Sequence, residues 1–372
     1  MAVRIEPYTD RHTFEVTQFN RRLRHGGVRS QFPENPVPAW LPPRAGSDLR
    51  QECYVAVDDG GAVRGGYILK HQPFRAGGEV VAVGNYQLPL SEGMIDRTYA
   101  AVGPQLLADA LRRRPVLYAL GLGGFDRPLP QMLAATGWQL KAVPFHFRVC
   151  HPQSFLRNLS LLRERPAWRI LSDVAAATGV GSIGILSLQA SRRKKRARLG
   201  RTAAEIVPAF DHWTNGLWES GAGHYSFAAV RRAPELNLLY PAEDRRIHRL
   251  QVALDGAPVG WAVVLHTLMK NHNYFGNMHV GTIADCFAAP EQADAVIAAA
   301  TDYLEERDVD LIVSNQMHPW WCSALANGGF LSGPSNFILA TAPALTRRLA
   351  AADPAWERLH INRGDGDGPI DL

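Results

Sequence analysis

The sequence predicts two tandem α/β domains of one design, each a mixed, mostly antiparallel twisted sheet flanked by helices. Three observations carry this. The 372 residues exceed one ordinary domain and suffice for two separate cores. The pattern hairpin, strand, helix, strand, helix, strand occurs twice in the same order. Matching glycines keep a near-constant spacing, with Gly60 to Gly256 at 196, Gly66 to Gly260 at 194 and Gly137 to Gly329 at 192.

Each element has its own justification. YVAVDDGGAVRGGYILK and RLQVALDGAPVGWAVVLH read as hairpins, two β-rich runs around an Asp-Gly turn. VVAVGNYQLPL and NYFGNMHVGTIADCF supply the next strand of each half. Residues 98–113 then place Val102, Leu106, Leu107, Ala110 and Leu111 on one helical face, and residues 290–307 do so with Ala293, Ile297, Ala300 and Leu304. VLYALGL and VDLIVSN are short apolar strands. Each leads to a short helix that closes at Gly137-Trp138 or Gly329-Phe330, where glycine suits a C-terminal cap of positive φ. KAVPFHFRV and SNFILATA are the last strands. The expected divisions are an N-terminal domain 1–150, a linker 151–205, a C-terminal domain 206–350 and a tail 351–372.

Composition narrows the class. With 46% hydrophobic and 20% charged residues the chain is ordinary globular protein. Cys53, Cys150, Cys286 and Cys322 form no CxxC and no His/Cys metal spacing, which suits reduced thiols and predicts no metal. The charged N-terminus lacks a signal-peptide core, and no run of about 18 apolar residues is present, so a cytoplasmic location is expected. Much of the net charge of +5 sits in one run, Arg192 to Arg196 with Arg198 and Arg201. That run, with the helical stretch before it, reads either as a linker with a solvated end or as a peripheral membrane contact through 155–201 at the inner membrane face. It has no interleaved aromatics for stacking on bases, so nucleic acid is not an expected partner. GxSxG, HExxH and GxxxxGK[ST] are all missing, and Gly121-Leu122-Gly123-Gly124 is not GxGxxG.

The element order ending in Gly-Trp or Gly-Phe resembles the GCN5-related N-acetyltransferase superfamily, specifically its tandem members, over about residues 50–150 and 206–345. FDHWTNGLWES, VRRAPELNLLYP and DGAPVGWAVV also resemble Fem-like acyltransferases associated with envelope polysaccharide. The resemblance implies transfer of an acyl group from acetyl-CoA or another acyl-CoA to an amine, on an amino sugar or other glycan-precursor or small-molecule acceptor. The alternatives are aminoacyl transfer from tRNA and a non-catalytic scaffold.

In that family the donor pyrophosphate lies on backbone N–H groups where the helix after the central strand begins. Here that implies Val102 and Gly103 in the first half and Ala288 and Ala289 in the second. Asn315 matches an asparagine near the pantetheine and makes the second half the preferred donor site. The tyrosine that would protonate the thiolate is replaced by Leu133 and Leu325. Amine acylation needs a base and donors aimed at the developing oxyanion. Asp285 is the first candidate base, with Glu92 as fallback and His318 able to titrate near neutrality. Strand parity places His279 on the face of Gly281, Ile283 and Asp285. With Trp320, Trp321, Asn85 and Tyr86, His279 makes up the candidate acceptor-binding set.

Overall fold

The computed structural model describes residues 3–158, 184, 187, 189–190, 200–272 and 275–368. Most of the basic run and the helical stretch before it lie outside these residues, so the expected membrane contact is not addressed by them. The chain divides into two compact units, residues 1–142 with 338–355 and residues 143–337 with 356–372.

The first unit contains β1 (Arg4–Pro7), α1 (Thr13–His25), β2 (Arg50–Val57), β3 (Val63–Ala76), β4 (Glu79–Ser91), α2 (Val102–Arg113), β5 (Leu117–Leu120), α3 (Pro128–Ala135) and β6 (Gln139–Ala142). The second contains β7 (Phe145–Val149), α4 (Pro152–Asn158), β8 (Thr202–Ile206), α5 (His212–Gly221), β9 (Phe227–Ala229), α6 (Ala233–Leu239), β10 (Ile247–Leu254), β11 (Ala257–Leu268), β12 (His279–Ala288), α7 (Ala293–Glu305), β13 (Leu311–Asn315), α8 (Pro319–Asn327) and β14 (Leu331–Gly333). The chain then returns to the first unit with β15 (Ile338–Thr341) and α9 (Pro343–Ala352), and ends in the second with β16 (Leu359–His360).

The strand order is β1-β2-β3-β4-β5-β15-β6 in the first unit and β14-β7-β13-β12-β11-β10-β8 in the second. In both, the central strand pairs antiparallel with the hairpin and parallel with the strand after the long helix. The hairpin turns form as expected: Asp255 and Gly256 both take positive φ, 50° and 85°, the combination a tight two-residue loop requires. Gly137 and Gly329 close their helices at φ 82° and 86°.

One expectation is overturned. The last strand of each half does not complete its own sheet. β7, from KAVPFHFRV, pairs antiparallel with β13 in the second unit, and β15, from SNFILATA, pairs with β5 and β6 in the first. The unit boundaries therefore fall at 142/143, 337/338 and 355/356 rather than at 150, 205 and 350, and residues 356–368 belong to the second unit instead of forming a tail. A short apolar strand fits either edge equally well by pattern alone, so its sequence does not reveal which neighbour it takes.

The first unit's core lies on both faces of its sheet. Leu106, Leu107 and Ala110 of α2 pack with Tyr54, Tyr67, Leu69 and Tyr86 on one face. Val16, Phe19 and Leu23 of α1 pack with Val55, Val63 and Phe32 on the other. Each of the valines, leucines and phenylalanines among them contributes about 1.5–3 kcal/mol on burial. In the second unit α7 is buried at nearly every position, because small alanines let it lie close against the sheet.

Candidate active site

The two units share a local device. In the first, parallel pairing of β4 with β5 is confined to Gly84↔Leu117 and Asn85↔Tyr118. β4 then runs on to Ser91 while β5 stops at Leu120, so the strands splay. In the second, pairing of β12 with β13 ends at Ile283↔Ser314 and β12 continues to Ala288. At each splay the central strand carries one extra residue relative to its hairpin partner, between Gln87 and Leu90 and between Ile283 and Asp285. Leu88 takes φ 45° there. Bulges of this kind re-aim side chains and concentrate beside functional clefts.

The clefts differ in what occupies them. In the second unit the chain's own residues 359–365 fill the opening. Met317 N–H donates to the Ile361 carbonyl at 3.0 Å, and Gln316 bridges to Asn362. Asn362 Nδ2 donates to Asp285 Oδ1 at 2.7 Å, and a methyl on Gly364 would stand 2.9 Å from Asp285 Cβ and 2.1 Å from the Tyr240 hydroxyl. Every β12 residue from Val280 to Ala288 is buried.

Asp285 is the hub of this filling. It is 0% exposed, accepts from Arg231 Nε at 3.1 Å and from the Tyr240 hydroxyl at 2.7 Å, and Arg231 Nη2 reaches on to Asp365 Oδ1 at 2.8 Å. Burial works against the Arg231 charge, but Asp285 and Asp365 override it and hold the guanidinium protonated. Burial first, then the Asp285 charge, lifts the Tyr240 phenol well above its ordinary range. A carboxylate so occupied holds the segment in place; it does not face a substrate. The expected parity with His279 also fails, because the bulge turns Asp285 away from the face of Gly281, whose added Cβ would touch Leu304 of α7.

The other second-half candidates are buried with it. His318 is 3% exposed and its Nδ1 accepts from Trp320 N–H, capping α8. Asn315 accepts from Arg363 Nη1 at 2.9 Å. Ala288 is buried and its carbonyl accepts from the Tyr225 hydroxyl, whereas Ala289 is half-buried. Trp321 is core, its indole N–H donating to Tyr225, while Trp320 is exposed. His279 sits apart, half-buried with its ring 4.2 Å from that of His266. His360, Tyr225 and Phe287 complete an aromatic cluster around Trp321. Burial, then the Arg231 charge, drives the His360 imidazole well below its ordinary range, so it is neutral.

The first unit's cleft is the open one. Leu88, Pro89, Ser91 and Gly103 are half-buried, and Gly121 and Gly123 on the far side are exposed at φ 82° and 78°. A Cβ on Gly103 would meet only Ser91 Oγ at 3.7 Å and Met132 Sδ at 3.9 Å, leaving space over the first turn of α2. Ala101, which precedes α2, offers no side-chain cap to the first turn, whose donors are the N–H groups of Val102 and Gly103 because Pro104 has none. Glu92 is not an available base: it accepts from Arg22 Nε at 2.7 Å and Arg64 Nη1 at 2.9 Å and fastens the loop leading to α2. Asn85 and Tyr86, both buried, lie at the floor of the splay.

The structure places Asn85 and Tyr86 on β4 and Val102 and Gly103 in the first turn of α2; Arg231, Tyr240, His360, Asn362 and Asp365 were not among the sequence candidates. Two of the missed residues stand inside VRRAPELNLLYP. The Asn-Arg-Gly-Asp turn at 362–365 was the remaining signal, in a segment read as a tail. Among the described residues no group of three or more His, Cys, Asp or Glu is arranged to hold a metal. No helix among them is long and apolar enough to cross a membrane.

No protein-family model matches the sequence, and no curated protein matches it. Solved structures do. The chain is similar to a probable N-acyltransferase of Enterococcus faecalis V583, a conserved protein of unknown function, with 8% identity and TM-score 0.51 over 94% of this chain and 74% of that one. It is similar to Saccharomyces cerevisiae N-myristoyltransferase with bound myristoyl-CoA, with 10% identity and TM-score 0.52 over 91% and 77%. A GCN5-related N-acetyltransferase from Anabaena variabilis gives 9% identity and TM-score 0.51 over 92% and 73%. The fold is that of the GCN5-related N-acetyltransferases, and no Fem-like transferase is among these three.

Proposed function

We propose that the protein is an N-acyltransferase that binds one acyl-CoA per chain, in the first unit's cleft, and passes the acyl group to an amine. The observation that carries this is the asymmetry of the splays: one is open above an uncapped helix start, the other is filled by residues 359–365. The expected preference for the second half through Asn315 has no support in this geometry. Support for the donor class comes from the fold, since a structural neighbour carries bound myristoyl-CoA. The acceptor we infer is an amine on an amino sugar or envelope-glycan precursor, as the sequence resemblance implies.

The first turn of α2, at Val102 and Gly103, would take the pyrophosphate on free N–H groups and the positive end of the helix dipole. The acyl arm would lie along β4 from Ser91 toward Tyr86. Attack by the neutral amine on the thioester carbonyl releases a thiolate. A thiol's pKa of about 8.5 makes that a fair leaving group, which suits a site with Leu133 where the family has a tyrosine. Calorimetric titration with acetyl-CoA and longer acyl-CoAs tests the reading. Micromolar binding at one site per chain is expected, and no heat with any donor would dismiss it. Gly103→Asp sharpens the test. The side chain has room, yet its charge repels a phosphate there, so donor affinity should fall at least tenfold without loss of thermal stability.

A further inference from the structure

The loop that leaves β5 carries two side chains that the fold itself does not use. Gly121, Gly123 and Gly124 take φ 82°, 78° and 132°, so the chain turns sharply there with only Leu122 for side-chain bulk. It then presents Phe125 and Arg127, two residues apart, just before α3 begins at Pro128. Phe125 is 51% exposed, and Arg127 is exposed as well. Neither side chain has a hydrogen bond, ion pair or ring contact among the described residues.

Their place is fixed against the first turn of α2. Met132 Sδ stands 3.9 Å from where a Cβ on Gly103 would be, so α3 borders the open space over that turn. Met132 follows Pro128 by about one helical turn, which sets the start of α3 roughly 6 Å further along its axis. Gln131 holds the loop to this helix, its side chain donating to the Asp126 carbonyl at 3.2 Å and its N–H to the Arg127 carbonyl at 3.2 Å. Phe125 and Arg127 are therefore rim residues of the first unit's cleft. Asp126, between them, has its carboxylate over its own loop, 2.7 Å from the Cβ position of Gly124.

The occupant follows from the chemistry of the pair. An exposed aromatic ring offers a stacking face to a planar base, and an unpaired guanidinium offers parallel N–H donors to a phosphate. A ligand that uses both, beside a pyrophosphate held on α2, is an adenosine phosphate. In an acyl-CoA the arm enters the cleft, which leaves the adenosine 3′-phosphate outside on the rim.

We propose that Phe125 stacks on the adenine of the bound acyl-CoA and that Arg127 pairs with its 3′-phosphate; this rests on the acyl-CoA reading above. Both are binding residues and take no part in acyl transfer. They make the nucleotide end of the donor a determinant of specificity. CoA thioesters are then taken in preference to thioesters of phosphopantetheine alone, the form in which carrier proteins hold acyl groups.

Calorimetric titration with CoA, 3′-dephospho-CoA and 4′-phosphopantetheine separates the two contributions. The parent should bind CoA about tenfold more tightly than dephospho-CoA. In Arg127→Gln that preference should vanish through loss of CoA affinity, with dephospho-CoA bound as before. Phe125→Ala should weaken CoA and dephospho-CoA alike, about tenfold, and leave phosphopantetheine unchanged. Both side chains are exposed, so neither variant should alter Tm. Phe14→Ala, which removes an exposed ring from α1 instead, is the control and should leave all three affinities as in the parent. Unaltered CoA affinity in either variant, or equal losses for all three ligands, overturns this inference alone. Parent protein that binds none of the three overturns it together with the acyltransferase reading.

Discussion

A carboxylate at the end of a central strand can serve catalysis or construction, and its partners decide which. Asp285 has Arg231, Tyr240 and Asn362 around it and no exposure. Removing one member of a buried ion pair strands the other charge, at about 3–5 kcal/mol. Asp285→Asn is thus expected to lower unfolding free energy by about 3 kcal/mol in denaturant titration while folded protein keeps its donor affinity. Unaltered stability would show the pair to be ornamental. His360 makes a second prediction at this scale. Its folded pKa lies well below the ordinary 6.5, so the unfolded chain binds the proton more readily. The stabilisation is complete above pH 6.5 and is lost progressively as pH falls below it. His360→Phe should flatten the decline of Tm between pH 6.5 and 5; an unchanged slope would assign the decline to other groups.

At the scale of elements, Gly364 tests the filled cleft. Its Cβ position is 2.1 Å from the Tyr240 hydroxyl, inside a saturated network. Gly364→Ala should cost about 1–3 kcal/mol through overpacking. A neutral effect in thermal melts would mean that residues 359–365 are loosely held. The elements also show what a sequence discloses. Hairpins, long helices and Gly-aromatic closures were legible because turn chemistry and the 3.6 period are local properties. The exchange of β7 and β15 was not, since both carry generic apolar strand patterns whose partners are set by tertiary packing. The bulge at Ala284 was equally silent, and it alone moved Asp285 off the face of His279. Of the candidate residues, those in the first turn of α2 and on β4 were chosen by position in the repeat, and the structure places them on those elements. The ionic hub did not, because Arg231, Asp285 and Asp365 are separated by 54 and 80 residues along the chain.

On the scale of the whole molecule, the two units repeat one topology and differ in what fills the splay beside the central strand. In the second unit residues 359–365 occupy the splay, so surface that stays open in the first unit is folding surface there. The basic run Arg192 to Arg196 stands apart from both cleft arguments. If it meets an anionic bilayer, at on the order of 1 kcal/mol per charge, the protein should float with anionic vesicles and not with neutral ones. Neutralising those five residues should abolish flotation, and flotation that survives would place the contact elsewhere. The most direct test of the central claim is a crystal structure with CoA bound. The account predicts one CoA per chain, its pyrophosphate on the first turn of α2 and its arm between Tyr86–Ser91 and Leu120–Gly124. CoA beside Asp285 with residues 359–365 displaced would contradict it.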